Sequence, residues 1–258
     1  MDTVKYNQNS WDKLVEKQDK WTTPVDEPTI AAARNGDWSV VLTPNKPVPR
    51  KWFPSKLSGK SVLCLASGGG QQGPILAAAG AIVTVLDNSP KQLEQDQNVA
   101  YRERLAITLE LGDMKDLSRF EDEKFDVVFH PTSNCFIDTI LPVWSEAYRV
   151  LKPGGTLLSG FANPIMYIFD LKAWNGGRLE IKHSIPYSDT KDLSEVDLKN
   201  LILESDDPVC FGHSLHDQIQ GQIDVGFALM GFYEDKSNGG PLDAYIDSYI
   251  ATKAVKLA

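Results

Sequence analysis

The sequence predicts an α/β protein with a mostly parallel sheet and helices on both faces, on three observations. From Lys60 onward, short β-rich apolar runs alternate with helical patterns, the order that parallel strands with crossover helices require. The first run, Ser61 to Leu65 (SVLCL), leads into ASGGGQQG and then a helix-like PILAAA opened by Pro74 and closed by Gly80. The last two runs, Phe227 to Tyr233 and Ala244 to Ala254, are joined by a glycine-rich loop (SNGGP) and no helix, which makes them antiparallel.

Residues 1–57 contain four of the six tryptophans, Trp11, Trp21, Trp38 and Trp52, among prolines 24, 28, 44, 47, 49 and 54. A short helix is expected from about Ser10 to Lys20 with Ser10 as N-cap. The rest reads as an ordered wrap, because so many large aromatics are costly to leave in water. This segment is taken as a lid or flank on a domain covering 58–258. Ile82 to Leu86 is the second strand, with Asp87 at its carboxyl end. Ser89-Pro90-Lys91-Gln92 combines an N-cap serine, a proline at the first helical position and a capping-box glutamine, so a helix runs to about Arg104. Thr108 to Leu111 forms the third strand and Phe125 to Phe129 the fourth. Apolar spacing at Leu141, Trp144, Ala147, Tyr148 and Leu151 gives a helix over 137–151, ended by Lys152-Pro153-Gly154-Gly155 before a fifth strand, Thr156 to Phe161. Residues 163–213 break the alternation: strand-like pieces near 165–170 and 179–185, an acidic stretch and a helix from Ser194 to Glu204 read as an inserted cap. Ser214 then caps a helix that Gly226 terminates.

Composition narrows the function. Thirty-five acidic against 26 basic residues give a formal charge of −9, and no basic cluster offsets it, which argues against nucleic acid. No apolar run reaches the roughly 18 to 20 residues of a membrane span, and MDTVKYNQNSWDK lacks a signal pattern, so a cytoplasmic protein that does not engage a membrane is expected. Cys64, Cys135 and Cys210 lie far apart with no CxxC, suggesting reduced thiols rather than a disulfide framework or zinc site. His213-x-x-His216 holds a metal only if a third ligand arrives from elsewhere, and no metal is expected. A Walker loop and a G-x-S-x-G elbow are both missing.

Gly68 to Gly73 satisfies G-x-G-x-x-G between strand and helix, and Asp87 follows Gly68 by 19 residues. Glycines permit a sharp turn that brings amides against a ligand, and an acid on the second strand can accept ribose hydroxyls, so an adenosine cofactor is implied. Gly112-Asp113-Met114 past the third strand, the helix-to-strand segment AYRVLKPGGTLL and the closing hairpin GFALMGFY with AYIDSYIATKAV turn this toward one class. With them the sequence resembles the class I S-adenosylmethionine-dependent methyltransferases of small-molecule type, over about 58–161 and 213–254. The resemblance implies a Rossmann-like fold of seven strands with the last antiparallel, S-adenosyl-L-methionine as cofactor, and methyl transfer to an O, N or C atom of a small molecule. By position it assigns Ala66, Ser67, Gly68, Gly69 and Gly70 to the methionine part of the cofactor, Asp87 to the ribose, and Asp113 and Met114 to the adenine, with Asn88 and Gln71 also among the cofactor-binding residues. His130, in HPTSNCF, falls near the sulfonium and is the candidate catalytic base as well as a cofactor neighbour, with Ser133 and Asn134 to orient it. Two positions depart from the family pattern. Cys64 replaces an acid in the first strand, leaving Gln71 or Gln72 to hold the cofactor's amino group, and Ala66 replaces the first glycine. The alternatives are an NAD(P)-dependent oxidoreductase and a noncatalytic S-adenosylmethionine-binding regulator.

Overall fold

The computed structural model describes residues 1–237 and 239–257; Asn238 of the glycine-rich loop, and Ala258, lie outside the described residues. The chain opens with α1 (Thr3–Glu16) and α2 (Glu27–Arg34), followed by β1 (Ser61–Leu65), α3 (Gln72–Ala78), β2 (Ile82–Asp87), α4 (Pro90–Glu103), β3 (Ile107–Leu111) and β4 (Phe125–His130). Then come α5 (Leu141–Val150), β5 (Leu151–Ala162), α6 (Leu171–Asn175), β6 (Tyr187–Ser188), α7 (Asp189–Asp192), α8 (Glu195–Leu198), β7 (Phe211–Gly212), α9 (Gly221–Asp224), β8 (Phe227–Asp235) and β9 (Tyr249–Lys256). Among the described residues the main sheet has seven strands in the order β3-β2-β1-β4-β5-β9-β8. β9 runs antiparallel to both neighbours and the other pairings are parallel.

Successive residues of a strand face opposite sides, and β1 shows the consequence. Val62 and Cys64 enter one core with α3, α4, Ile30, Trp38, Leu42 and Trp52. Leu63 and Leu65 enter a second core with Val143, Trp144, Ala147 and Val150 of α5.

Several elements depart from the sequence expectation. α1 begins at Thr3, because Asp2 accepts from Lys5 N at 3.1 Å as N-cap, and Ser10 is a buried residue inside the helix rather than its cap. α5 starts at Leu141, since Asn134–Phe136 winds into a separate 3-10 turn. β5 already begins at Leu151, and the Lys152-to-Gly155 turn is an irregularity within its pairing to β4. The strand-like pieces near 165–170 and 179–185 reduce to one bridge, Phe169 with Ile181, because Asn163 caps a 3-10 helix at Pro164–Ile168. The Ser194 helix runs as α8 and then a π-helical turn, Lys199–Leu203. The last strand starts at Tyr249, after a 3-10 turn over Pro241–Ala244.

The wrap between α2 and β1 is tied down at the carboxyl edge of the sheet. Leu42 O accepts from both Thr132 N and Thr132 Oγ1 at 3.0 Å. Asp235 Oδ2 accepts from Thr43 Oγ1, Asn45 N and Lys46 N at 2.7 to 2.9 Å. Leu42 also crosses directly over Gly160, where a Cβ would stand 2.1 Å from Leu42 O. The obstacle is backbone, so it cannot swing aside. Gly160→Ala is therefore expected to lower stability by about 1 to 3 kcal/mol, read as a reduced urea midpoint with unchanged denaturant slope.

Candidate active site

Strand order reverses between β1 and β4, and crevices form at the carboxyl ends of strands at such a switch point. A cavity of about 440 Å³ opens there, within the usual range for small-molecule sites. Ser67, Gly68, Asp87, Asn88, Asp113 and Met114 form part of its wall, and Tyr167, Phe169, Trp174, Tyr187 and Tyr249 form another.

The glycine turn begins with a strained residue: Ala66 has φ +47°, a left-handed conformation that costs a side-chain-bearing residue about 1 to 2 kcal/mol. Its amide is held by Leu86 O at 2.7 Å. Gly68 N donates to Asp87 Oδ2 and Ser89 N to Asp87 Oδ1, each at 2.9 Å. The carboxyl thus joins the turn to the start of α4, and each oxygen keeps a further lone pair for a ligand. Burial raises its pKa, against the amides of Ser89 and Gly68. Gly69 and Gly70 face α4 instead: a Cβ there would stand 2.9 Å from Gln92 Oε1 and from Gln95 O, respectively.

Ser89 caps α4, accepting from Gln92 N at 3.1 Å, but the expected capping box is only half made. Ser89 N is taken by Asp87, and Gln92 Oε1 is buried without a partner. Ser67 Oγ is equally unpartnered, and both residues line the cavity. Buried polar atoms in native proteins are almost always bonded, so two orphans on one wall fit a polar ligand. A nucleoside bearing hydroxyls and an amino group has the complementary donors.

Gln71 and Gln72 reach the cavity but spend polar groups elsewhere. Gln71 Nε2 donates to Lys20 O and Thr23 O, and Gln72 Oε1 accepts from Val41 N. Behind the turn, Asp96 of α4 is fully buried with neither oxygen hydrogen-bonded, and it is not part of the cavity wall. Burial pushes its pKa up to about 8, only partly offset by the nearby amides of Gly70 and Gly69. Burial likewise pushes the Cys64 thiol up, and Asp96 adds to it.

His130 is corrected as a candidate base. The ring is fully buried, with Nδ1 2.9 Å from Leu65 O and Nε2 2.6 Å from Asn134 Oδ1. Burial lowers its pKa. Alternation along β4 turns it toward α5, edge-on to Trp144 at 6.1 Å, and not onto the cavity wall. It belongs to a buried chain: Asn134 Nδ2 donates to Gln218 Oε1, Gln222 Nε2 to Gln218 O, and Thr252 Oγ1 to Gln222 Oε1. This chain holds the 131–137 loop. His213 serves the same loop, its Nε2 3.0 Å from Asn134 O and 2.9 Å from Ile137 O.

Sequence reasoning missed Asn7, which lines the cavity from inside α1, and Tyr167, Tyr187 and Asp189, which line it from short elements with no periodic signal. Tyr187 donates to Asp189 Oδ1 at 2.8 Å and Cys210 N to Asp189 Oδ2 at 2.6 Å. Burial raises the pKa of Asp189. The four N-terminal tryptophans divide: Trp11 and Trp21 line the cavity, while Trp38 and Trp52 are core.

Residues 63–159 match the model of a methyltransferase domain. A protein of Bacillus subtilis (strain 168) named as an uncharacterized methyltransferase, YbaJ, is 54% identical over 254 residues, 98% of each chain. The chain belongs to the class I S-adenosylmethionine-dependent methyltransferases. Demethylmenaquinone methyltransferase of Tropheryma whipplei (strain Twist) is 31% identical over 113 residues, covering 43% of this methyltransferase and 46% of that protein. An S-adenosylmethionine-dependent methyltransferase structure from Mesorhizobium loti shares the fold, with a TM-score of 0.60 at 17% identity over 80% of this chain and 94% of that one. Membership of the family removes the nicotinamide oxidoreductase alternative.

Asp96 gives this methyltransferase a defined pH dependence. Its folded pKa lies above the unfolded value, so between about pH 4 and 8 the native state holds a proton that the unfolded chain has released. Its contribution is complete below the unfolded pKa and falls by about 1.4 kcal/mol per pH unit until the folded pKa is passed. The stability of Asp96→Asn relative to the wild type should therefore rise from pH 5 to 8 and level off above it, measured by urea denaturation.

Proposed function

We propose that this methyltransferase transfers a methyl group from S-adenosylmethionine to a small, largely apolar acceptor held in the aromatic half of the cavity. The carrying observation is one cavity with two chemistries: orphaned Ser67 and Gln92 beside Asp87 on one wall, aromatic rings on the other. The residues proposed to hold the cofactor are Ala66, Ser67, Gly68, Asp87, Asn88, Gln92, Asp113 and Met114. When bound, that cofactor supplies a methyl group on a positively charged sulfur, open to in-line displacement.

The chain's own part is placement and exclusion of water. Asp87 accepts from paired hydroxyls, and Ser67 and Gln92 engage the remaining polar groups. The 131–137 loop, fixed from behind by His130 and His213, forms the floor. Tyr167, Tyr187 and Tyr249 enclose the acceptor, and the Tyr187–Asp189 pair, in place of His130, is the polar pair set to engage an acceptor O–H or N–H. The enclosed aromatic wall and the net negative charge support a small acceptor rather than nucleic acid, and three free cysteines support a reducing, cytoplasmic setting. Residues 1–57 serve as a lid: Trp11 and Trp21 complete the wall, and α1 crosses from α4 to the 163–213 cap. The noncatalytic alternative has no use for a walled acceptor compartment.

The test is incubation with cofactor labelled in its methyl group and a metabolite extract, with labelled product identified by mass spectrometry. A labelled small molecule is expected, and its absence from every extract would favour the noncatalytic reading. Asp87→Ala should weaken calorimetric binding of S-adenosylhomocysteine at least about tenfold, through loss of charge-assisted bonds. Tyr187→Phe should lower turnover with that affinity unchanged. Added S-adenosylhomocysteine should slow proteolysis between Met1 and Pro54.

A further inference from the structure

Asn7 of α1 is buried, and its side-chain amide is committed to two distant segments. Nδ2 donates to Phe136 O at 2.8 Å and to Val209 O at 3.0 Å, while Oδ1 accepts from Val209 N at 2.9 Å. The amide thus takes both the N–H and the C=O of one residue, as a neighbouring strand would. Val209 is itself fully buried, among Leu193, Ile202 and Phe211, so removing Asn7 leaves two buried peptide groups unpaired. Asn7 lines the cavity, but with both Nδ2 hydrogens in use it has no proton left to offer an acceptor.

The residue after Val209 carries the effect inward. Both backbone groups of Cys210 are held by Asp189, whose amide donates to Cys210 O at 3.0 Å and whose Oδ2 accepts from Cys210 N at 2.6 Å. Asp189 Oδ1 accepts from the Tyr187 hydroxyl at 2.8 Å. Alongside, Ser188 pairs with Phe211 and Tyr187 with Gly212. Residues 209–212 therefore set the places of Tyr187 and Asp189, and Asn7 fastens the first residue of that line.

The same helix reaches the opposite wall. Gln8, directly after Asn7, donates from Nε2 to Asn88 O, and one turn on Asp12 accepts from Ser89 Oγ. Consecutive side chains of α1 thus grip the Tyr187 side of the cavity and the Asp87 side.

We propose that Asn7 is a positioning residue for methyl transfer, fixing the Tyr187–Asp189 pair through Val209 and Cys210 and, with Gln8, coupling the order of that pair to occupation of the cofactor wall. The inference rests on the cofactor and acceptor sites proposed above.

The test is residue-resolved amide exchange by NMR on the full-length chain, with and without saturating S-adenosylhomocysteine, whose binding is first checked by calorimetry. In the wild type the ligand should slow exchange at the amides of Cys210 and Asp189 about fivefold or more. Asn7→Ala should speed exchange at the same two amides about tenfold or more, as expected for lost buried hydrogen bonds, and should abolish the ligand effect there. Unchanged exchange in β1 shows that the variant is folded. Asn7→Asp keeps the shape but loses both donors when ionised. Relative to the wild type, its exchange at these amides should return toward normal from pH 8 to pH 6 as the carboxyl regains a proton, whereas the ratio for Asn7→Ala should stay constant. Should neither variant fold, the wild-type ligand effect decides. Ligand binding without slower exchange at Cys210 and Asp189 would overturn the positioning role, as would a change in Asn7→Ala confined to Val209. No ligand binding at all would overturn the cofactor site and this coupling with it.

Discussion

The carboxyl of Asp87 is the joint on which the site depends. One oxygen holds Gly68 N and the other Ser89 N, fixing the glycine turn against the start of α4. Ser89 passes the link outward: its hydroxyl donates to Asp12 Oδ1 at 2.7 Å, and Lys91 N joins the same oxygen. A carboxylate is favoured at a helix N-terminus, where amides are unpaired and the dipole is positive. Asp12 satisfies that preference from α1, a separate element, so one chain of hydrogen bonds connects the cavity wall, α4 and the N-terminal helix. From there Asn7 and Trp11 carry α1 onto Val209 and Phe136, closing the cavity on its far side.

A second buried network supports the opposite wall. His130, Asn134, Gln218, Gln222 and Thr252 run from β4 through Gln218 before α9 and Gln222 within it to β9. Partly satisfied polar chains in a low-dielectric interior are costly, and satisfied ones fix a unique arrangement. The antiparallel β9 therefore does more than extend the sheet. It anchors, through Thr252, the loop that carries Ser133 and Cys135 to the cavity.

What was legible in the sequence follows how local each signal is. The order from β1 through the glycine turn to Asp87 was readable because SVLCL, the turn glycines and Ser89-Pro90 each specify their conformation within a few residues. His130 was misread because β4 is buried on both faces, so Phe125 to Phe129 offers no polar alternation to tell which side the next residue takes. Ser10 looked like a cap because the earlier one, Asp2, comes almost at the chain start. The 163–213 segment stayed opaque because long-range bonds set it, such as Cys210 N to Asp189 and Lys182 to Asp170. Tyr187 and Asp189 join the cavity through those bonds and through no periodicity of their own. At the first-strand departures, Ala66 keeps the left-handed conformation suited to glycine, while Cys64 is buried near Asp96 of α4, away from the cavity wall.

With the cofactor at the proposed site, the Asp87 joint couples its binding to the N-terminal helix. Amide hydrogen exchange with and without S-adenosylhomocysteine tests it most directly, since it reads local opening along the whole chain. Added protection is expected simultaneously at residues 67–72, at 89–93 and along α1, with the α1 protection lost in Asp12→Ala. Protection confined to the turn, leaving α1 unchanged in the wild type, would contradict it.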